Sequence, residues 1–249
     1  MQAQRIVSLA PSITEILFAL GLEPRIVGVT ELCDYPPEAK RKPKVGDYQI
    51  SPEKVAALKP DLVVGHEVLN ARVLPVLKRI GLRVLSANPN QFRKLYEFMR
   101  AIGRATGTEP TAERIIRSMQ ARVARVRQNT PRKTPKTLFV ISVEPLWASG
   151  SGTLANEMIT LAGGRNILAE QFQNYKAVSM ELALGSAPEL ILLAGPKADS
   201  ILKNPLWQRT PAAQKRHVYE LNPDLVLRET PRSVQGLEQI ARFVWQAGT

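Results

Sequence analysis

"ISPEKVAALKPDLVVG", residues 50–65, decides the fold. Ser51 is placed to cap a helix, Pro52 suits its first position, and Glu53 favours the positive end of the helix dipole. The helix then gives way at Lys59-Pro60 to the apolar run "DLVVG", a buried strand. Residues 178–195, "VSMELALGSAPELILLAG", repeat the arrangement, with Ser179, Glu181, Pro188 and Leu190 each offset by 128 from Ser51, Glu53, Pro60 and Leu62. A second echo sets "TEILFALG" (14–21) against "NEMITLAG" (156–163) at an offset of 142, so the two halves differ in loop length. One chain therefore carries the same helix–strand unit twice.

Outward from this stretch the pattern is α/β. "RIVSL", "RIVGV", "DLVVG" and "LRVLSA" read as strands between helical segments, and strands alternating with helices predict a mostly parallel sheet. The first helix, "PSITEILFALG", is expected to open on a capping box from Ser12 to Glu15 and to stop at Gly21. From Gln91 to Gln128 the strand signal disappears. One helix runs from Gln91 to about Thr106, and Thr111 starts another of ~18 residues, or ~27 Å. "NTPRKTPK" then forms a basic, proline-rich joint, after which "TLFVISV", "ELILLAG" and "HVYEL" resume the alternation before a last helix from Ser233 to about Trp245. The expected fold is α/β: two similar lobes with mostly parallel sheets, 1–107 and 132–249, joined by one long backbone helix at 108–131.

The net charge of +12 invites a nucleic-acid reading. The arginines of "AERIIRSMQARVARVRQ" argue against it: Ile116, Met119, Val123 and Val126 form an apolar stripe, and Arg114, Arg117, Arg122 and Arg125 fall off it as a solvated face. No aromatic residue is interleaved for base stacking. No stretch approaches the ~20 apolar residues of a membrane span. The single cysteine, Cys33, excludes an internal disulfide. Two histidines, His66 and His217, are too few for a zinc or manganese receptor, and no nucleophile elbow or phosphate loop supports an enzyme. The opening "MQAQRIVSLAPS" is not a signal peptide, which leaves a cytoplasmic protein or one whose export segment has been removed.

The ordered set "SLAPSITEILFALGL", "GVTELCDYPPEA", "PEKVAALKPDLVV", "PLWASG", "VSMELAL" and "PDLVLRETPR" resembles substrate-binding proteins of ABC importers with a single long helix between two lobes, the class that takes cobalamin and ferric siderophores. "CDYPPEA" is most similar to the cobalamin binders. The resemblance implies a monomeric, extracytoplasmic carrier with no cofactor of its own, holding a corrinoid ligand between its lobes and partnering the permease subunits of an ABC importer. It implies that Glu53 and Glu181 dock onto permease arginines. It also implies ligand contacts from Ser12, Tyr48, Trp147, Tyr175, Asp224 and Arg228. The three aromatic residues are expected on loops, and Asp224 with Arg228 as a polar pair for the amide fringe of the ligand. Two positions depart from the pattern: Leu32 stands in place of a tyrosine and His66 in place of a tryptophan. His66 then becomes a candidate cobalt ligand beside its plainer hydrogen-bonding role. A ferric-siderophore or haem carrier of the same fold, and a cytoplasmic corrinoid carrier, are the alternatives.

Overall fold

The computed structural model describes residues 2–129 and 131–249. Met1, and Thr130 of the expected basic joint, lie outside the described residues. The chain divides into two compact units, one of residues 1–118 with 229–231 and the other of 119–228 with 232–249.

In the first unit, β1 (Ile6–Ser8), α1 (Pro11–Ala19), β2 (Ile26–Gly28), α2 (Pro52–Ala57), β3 (Leu62–His66), α3 (Leu74–Arg79) and β4 (Val84–Ala87) alternate as the apolar spacing predicts. The four strands form one parallel sheet in the order β2-β1-β3-β4. Every residue of β3 is buried, as a central parallel strand covered on both faces requires. Val7, Leu9, Val55, Val63, Leu74 and Leu77 join strands and helices into one core cluster. Two helices follow, α4 (Phe92–Thr106) and α5 (Glu109–Gln128), and the division between units falls inside α5.

The second unit contains β5 (Lys136–Val143), β6 (Leu146–Ser149), α6 (Leu154–Leu161), β7 (Arg165–Asn166), β8 (Tyr175–Ala177), α7 (Met180–Gly185), β9 (Leu190–Ala194), α8 (Asp199–Leu202), α9 (Pro211–Gln214), β10 (Val218–Leu221), α10 (Pro223–Val226) and α11 (Ser233–Ala247). Its sheet is mixed. The path β10-β9-β5 is parallel and β7 adds to β5 in parallel, whereas β5, β6 and β8 run antiparallel. Leu138, Val140, Ile191, Leu193 and Trp207 centre its core, with Trp207 only 1% exposed.

The structure corrects the helix starts in two places. Ala10, not Ser12, is the N-cap of α1, and no side chain caps it. Pro11 takes the first helical position and leaves Ser12 inside the first turn, so the expected capping box has no place to form. The long helix begins at Glu109 rather than Thr111, because Pro110 fits a first turn whose N–H groups are unpaired anyway. Its 20 residues span about 30 Å. Ile116, Met119 and Val126 are buried along its stripe, while Arg114, Arg117 and Arg125 are exposed and Arg122 forms a two-pronged bond to Glu238 at 2.8 and 2.6 Å. The arginine face is solvated, as expected.

Both internal echoes hold at the level of backbone. Gly21 after α1 and Gly163 after α6 each adopt a left-handed φ, +76° and +87°. Lys59 and Ala187, which precede Pro60 and Pro188 at the ends of the echoed helices, also share left-handed values of +47° and +49°.

Candidate functional site

The repeated helix starts are built alike. Ser51 Oγ accepts from the Lys54 N–H at 3.2 Å and donates to Glu53 Oε2 at 2.7 Å. Ser179 Oγ accepts from the Leu182 N–H at 3.1 Å. Glu53 and Glu181 occupy the second helical position of α2 and α7, and both are exposed. The Ser51 hydroxyl, with a smaller backbone contribution, holds the Glu53 carboxyl below the usual carboxylate range. Each unit thus presents one exposed glutamate from a serine-capped helix start.

In the first unit, His66 ends β3 and is buried, 5% exposed. Its Nδ1 accepts from the N–H groups of Val68 and Leu69 at 3.2 and 3.3 Å, leaving Nε2 for the proton. Nε2 faces Glu229 Oε2 at 3.9 Å. Asn70 locks this corner: its Oδ1 accepts from the His66 N–H at 2.7 Å, and its Nδ2 donates to the Leu9 carbonyl at 3.0 Å. Burial holds His66 neutral down to about pH 4 and pushes Glu229 up to about 7. His66 is therefore a hydrogen-bonding side chain in this structure, with one nitrogen committed to the backbone. Glu229 was not read as a site residue from the sequence; it lies 163 positions from His66, and no local pattern marks it.

A recess of about 450 Å³ opens beside this corner, lined among others by Tyr48, Ile50, Pro52, Val68, Leu69 and Val73. Tyr48 is 84% exposed, and Val68 and Leu69 are exposed beside it. These three form an apolar surface of which the sequence reading had singled out only Tyr48. Leu32 is also exposed, next to the buried Cys33, which lies 3.1 Å from the Thr14 and Thr30 hydroxyls. Ser12 is buried.

In the second unit, Trp147 and Tyr175 lie on strands rather than the expected loops. The two-residue turn after β5 folds β6 back as an antiparallel hairpin, and β8 pairs on its far side. Trp147 pairs with Ala177, and Ser149 with Tyr175. Residues two apart on a strand share a face, so Trp147 and Tyr175 are diagonal neighbours on one face of the ribbon. Trp147 is 38% exposed and Tyr175 half-buried. Asp224 and Arg228 form an ion pair at 3.1 Å around α10, whose start Asn222 caps by accepting from the Asp224 N–H. The expected polar pair exists, and its two members are partners of each other.

Among the described residues no group of three or more His, Cys, Asp or Glu side chains could hold a metal ion. No described helix is long and apolar enough to cross a membrane.

Comparison with known proteins gives the same architecture a family. The periplasmic binding protein family matches residues 6–225. An uncharacterised ABC transporter substrate-binding lipoprotein of Bacillus subtilis, YvrC, is 34% identical over 98% of this chain and 81% of its own. The crystal structure of the periplasmic vitamin B12 binding protein BtuF of Vibrio cholerae superposes with a TM-score of 0.87 at 28% identity, covering 98% of each chain. The periplasmic haem-binding protein RhuT of Roseiflexus sp. RS-1 gives 0.82 at 28% identity, over 99% of this chain and 100% of its own. With a family match from the first strand to α10 and the two-lobe α/β fold in common, this chain belongs to the periplasmic binding proteins, as an ABC-transporter substrate-binding protein rather than an enzyme.

Proposed function

We propose that this protein captures a corrinoid outside the cytoplasm, as a monomer, and delivers it to the permease of an ABC importer. The observation that carries the ligand reading is the diagonal pair of Trp147 and Tyr175 on one ribbon face. A corrinoid is a wide macrocycle with apolar faces and an amide fringe, and it needs flat aromatic surface with a few polar groups near it. Asp224 and Arg228 supply the polar groups and Tyr48 and Leu32 further apolar surface, while Ser12 and His66 are buried. The vitamin B12-binding relative of known structure supports the corrinoid choice. Glu53 and Glu181 are the docking carboxylates: capping explains each, and their equal placement on both repeats supports a shared task at the permease.

A ferric chelate or haem is the second reading, favoured by the likeness to the haem-binding RhuT. Titration calorimetry with cyanocobalamin, cobinamide, hemin and a ferric siderophore tests both. One-to-one heat with the corrinoids alone is expected. Heat with hemin or the siderophore, and none with either corrinoid, would transfer the protein to the second reading.

A further inference from the structure

The first unit's sheet ends at β4, and that edge is open. In a strand, the N–H and C=O of one residue point to the same side and alternate from residue to residue. The Val63 N–H donates to the Arg83 carbonyl at 2.9 Å, and the Glu67 N–H to the Ala87 carbonyl at 2.9 Å, so odd-numbered residues of β4 face β3. Val84 and Ser86 therefore turn their backbone groups outward. Among the described residues nothing bonds to them.

Two recesses follow this edge. One of about 350 Å³ is lined by Arg83, Val84, Leu85, Ala101 and Arg104. The other, of about 500 Å³, runs on along Leu85, Ser86 and Ala87 to Arg93, Lys94 and Phe98, with Glu67 and Glu97 also on its wall, so the excess positive charge lies at the Arg83–Arg104 end. They share Leu85 and Ala101, so β4 and α4 bound one continuous trough with apolar residues at its centre. Its charge is uneven. Arg93 is bonded to Glu97 at 2.7 Å, and Lys94 to Asn90 at 3.0 Å. Arg83 and Arg104, both exposed, have no acidic partner among the described residues.

From this geometry we infer that β4 is a docking edge for an extended, acidic segment of a partner protein, which adds as a fifth strand with its carboxylates on Arg83 and Arg104. The outward groups of Val84 and Ser86 supply the main-chain bonds, and the trough takes alternate side chains. Charged residues on an edge also deter self-pairing. Here Arg83 and Arg104 also leave the trough an excess of unpaired positive charge at one end, which favours an acidic strand.

The probe is a fluorescein-labelled peptide, DVTVEVT, followed by fluorescence anisotropy against the full chain. A saturable rise below about 1 mM is expected, with hydrogen exchange slowed at the amides of Val84 and Ser86. Ser86→Pro removes an outward donor and no bond to β3, because edge strands accept proline at such positions. It should weaken binding about five-fold or more, as should Arg83→Glu with Arg104→Glu or a tenfold rise in salt. If Ser86→Pro fails to fold, the same peptide N-methylated at alternate residues makes the backbone test on the natural chain, and should not bind. The inference is overturned by no rise with DVTVEVT, by an equal rise with the lysine counterpart KVTVKVT, or by binding that survives N-methylation. It is equally overturned if sedimentation shows a concentration-dependent dimer that Ser86→Pro abolishes, which would make β4 a self-pairing edge.

Discussion

The imidazole Nε2 of His66 stands 3.9 Å from Glu229 Oε2, with the two side chains 5% and 18% exposed. Burial acts on them in opposite senses, depressing the histidine and raising the glutamate against a smaller backbone hydrogen bond. Between pH 6.5 and about 4 the unfolded chain binds a proton on His66 that the folded chain refuses, so folding loses stability as pH falls. Between 4.5 and about 7 the folded chain keeps a proton on Glu229 that the unfolded chain releases, so folding loses stability as pH rises. From about 4.5 to 6.5 each state holds one proton on the pair, and the two slopes cancel.

Single substitutions should expose each slope. Relative to the natural chain, Glu229→Gln should gain stability as pH rises from 4.5 to 6.5, and His66→Gln should lose it. Each change should amount to about 2–3 kcal/mol across the window. Urea midpoints measured at half-unit pH intervals check this. Variants that parallel the natural chain would show that neither group holds its shifted proton.

Asn70 carries a different kind of load. Its amide satisfies the Leu9 carbonyl at the end of β1 and the His66 N–H at the end of β3, in a place only 7% exposed. Asn70→Ala would leave both backbone groups without that partner, and about 2–3 kcal/mol of stability should go. The unfolding midpoint at neutral pH measures it. A loss below about 0.5 kcal/mol would mean that water replaces the amide.

For the proposed ligand, Trp147→Ala should weaken corrinoid binding by about 1–3 kcal/mol, as for a buried aromatic contact. Calorimetry on the folded variant decides, with the melting temperature as control. Since Trp147 is 38% exposed in this structure, its loss should change stability little. Unchanged corrinoid affinity would remove the ribbon face from the binding surface.

Glu53→Lys with Glu181→Lys should abolish transport by vesicles carrying the cognate permease and leave ligand affinity within about two-fold. Reversal should exceed Glu→Gln in effect and weaken with salt. Capping alone forecasts the opposite: a slight fall in melting temperature from a cation at each helix start, with transport intact. Normal transport would return both residues to that role.

The alternation of apolar runs with 3.6-period helices made the α/β order readable, because parallel strands buried on both faces are continuous apolar words such as "DLVVG". The ribbon was not readable in the same way. "LWAS" and "YKA" are short, and Tyr175–Ala177 is largely polar, so neither shows the length or alternation that separates a strand from a loop. Ser12 misled because Ser-x-x-Glu matches a capping box two residues too late once Pro11 has taken the first position after the Ala10 cap. Glu229 lay beyond local reading altogether, since only the return of residues 229–231 to the first unit brings it to His66.

Lys59 and Ala187 are chemically unlike, yet both hold the same left-handed backbone at the same step of the repeat. A side chain in that region is strained at a cost of about 1 kcal/mol or more, and glycine would relieve it at either place. What the two repeats keep in common is thus the angle at which a helix is turned into its strand, while the side chain hung on that angle differs between them. That corner and the serine-capped helix start before it are the parts of the unit that both halves build alike.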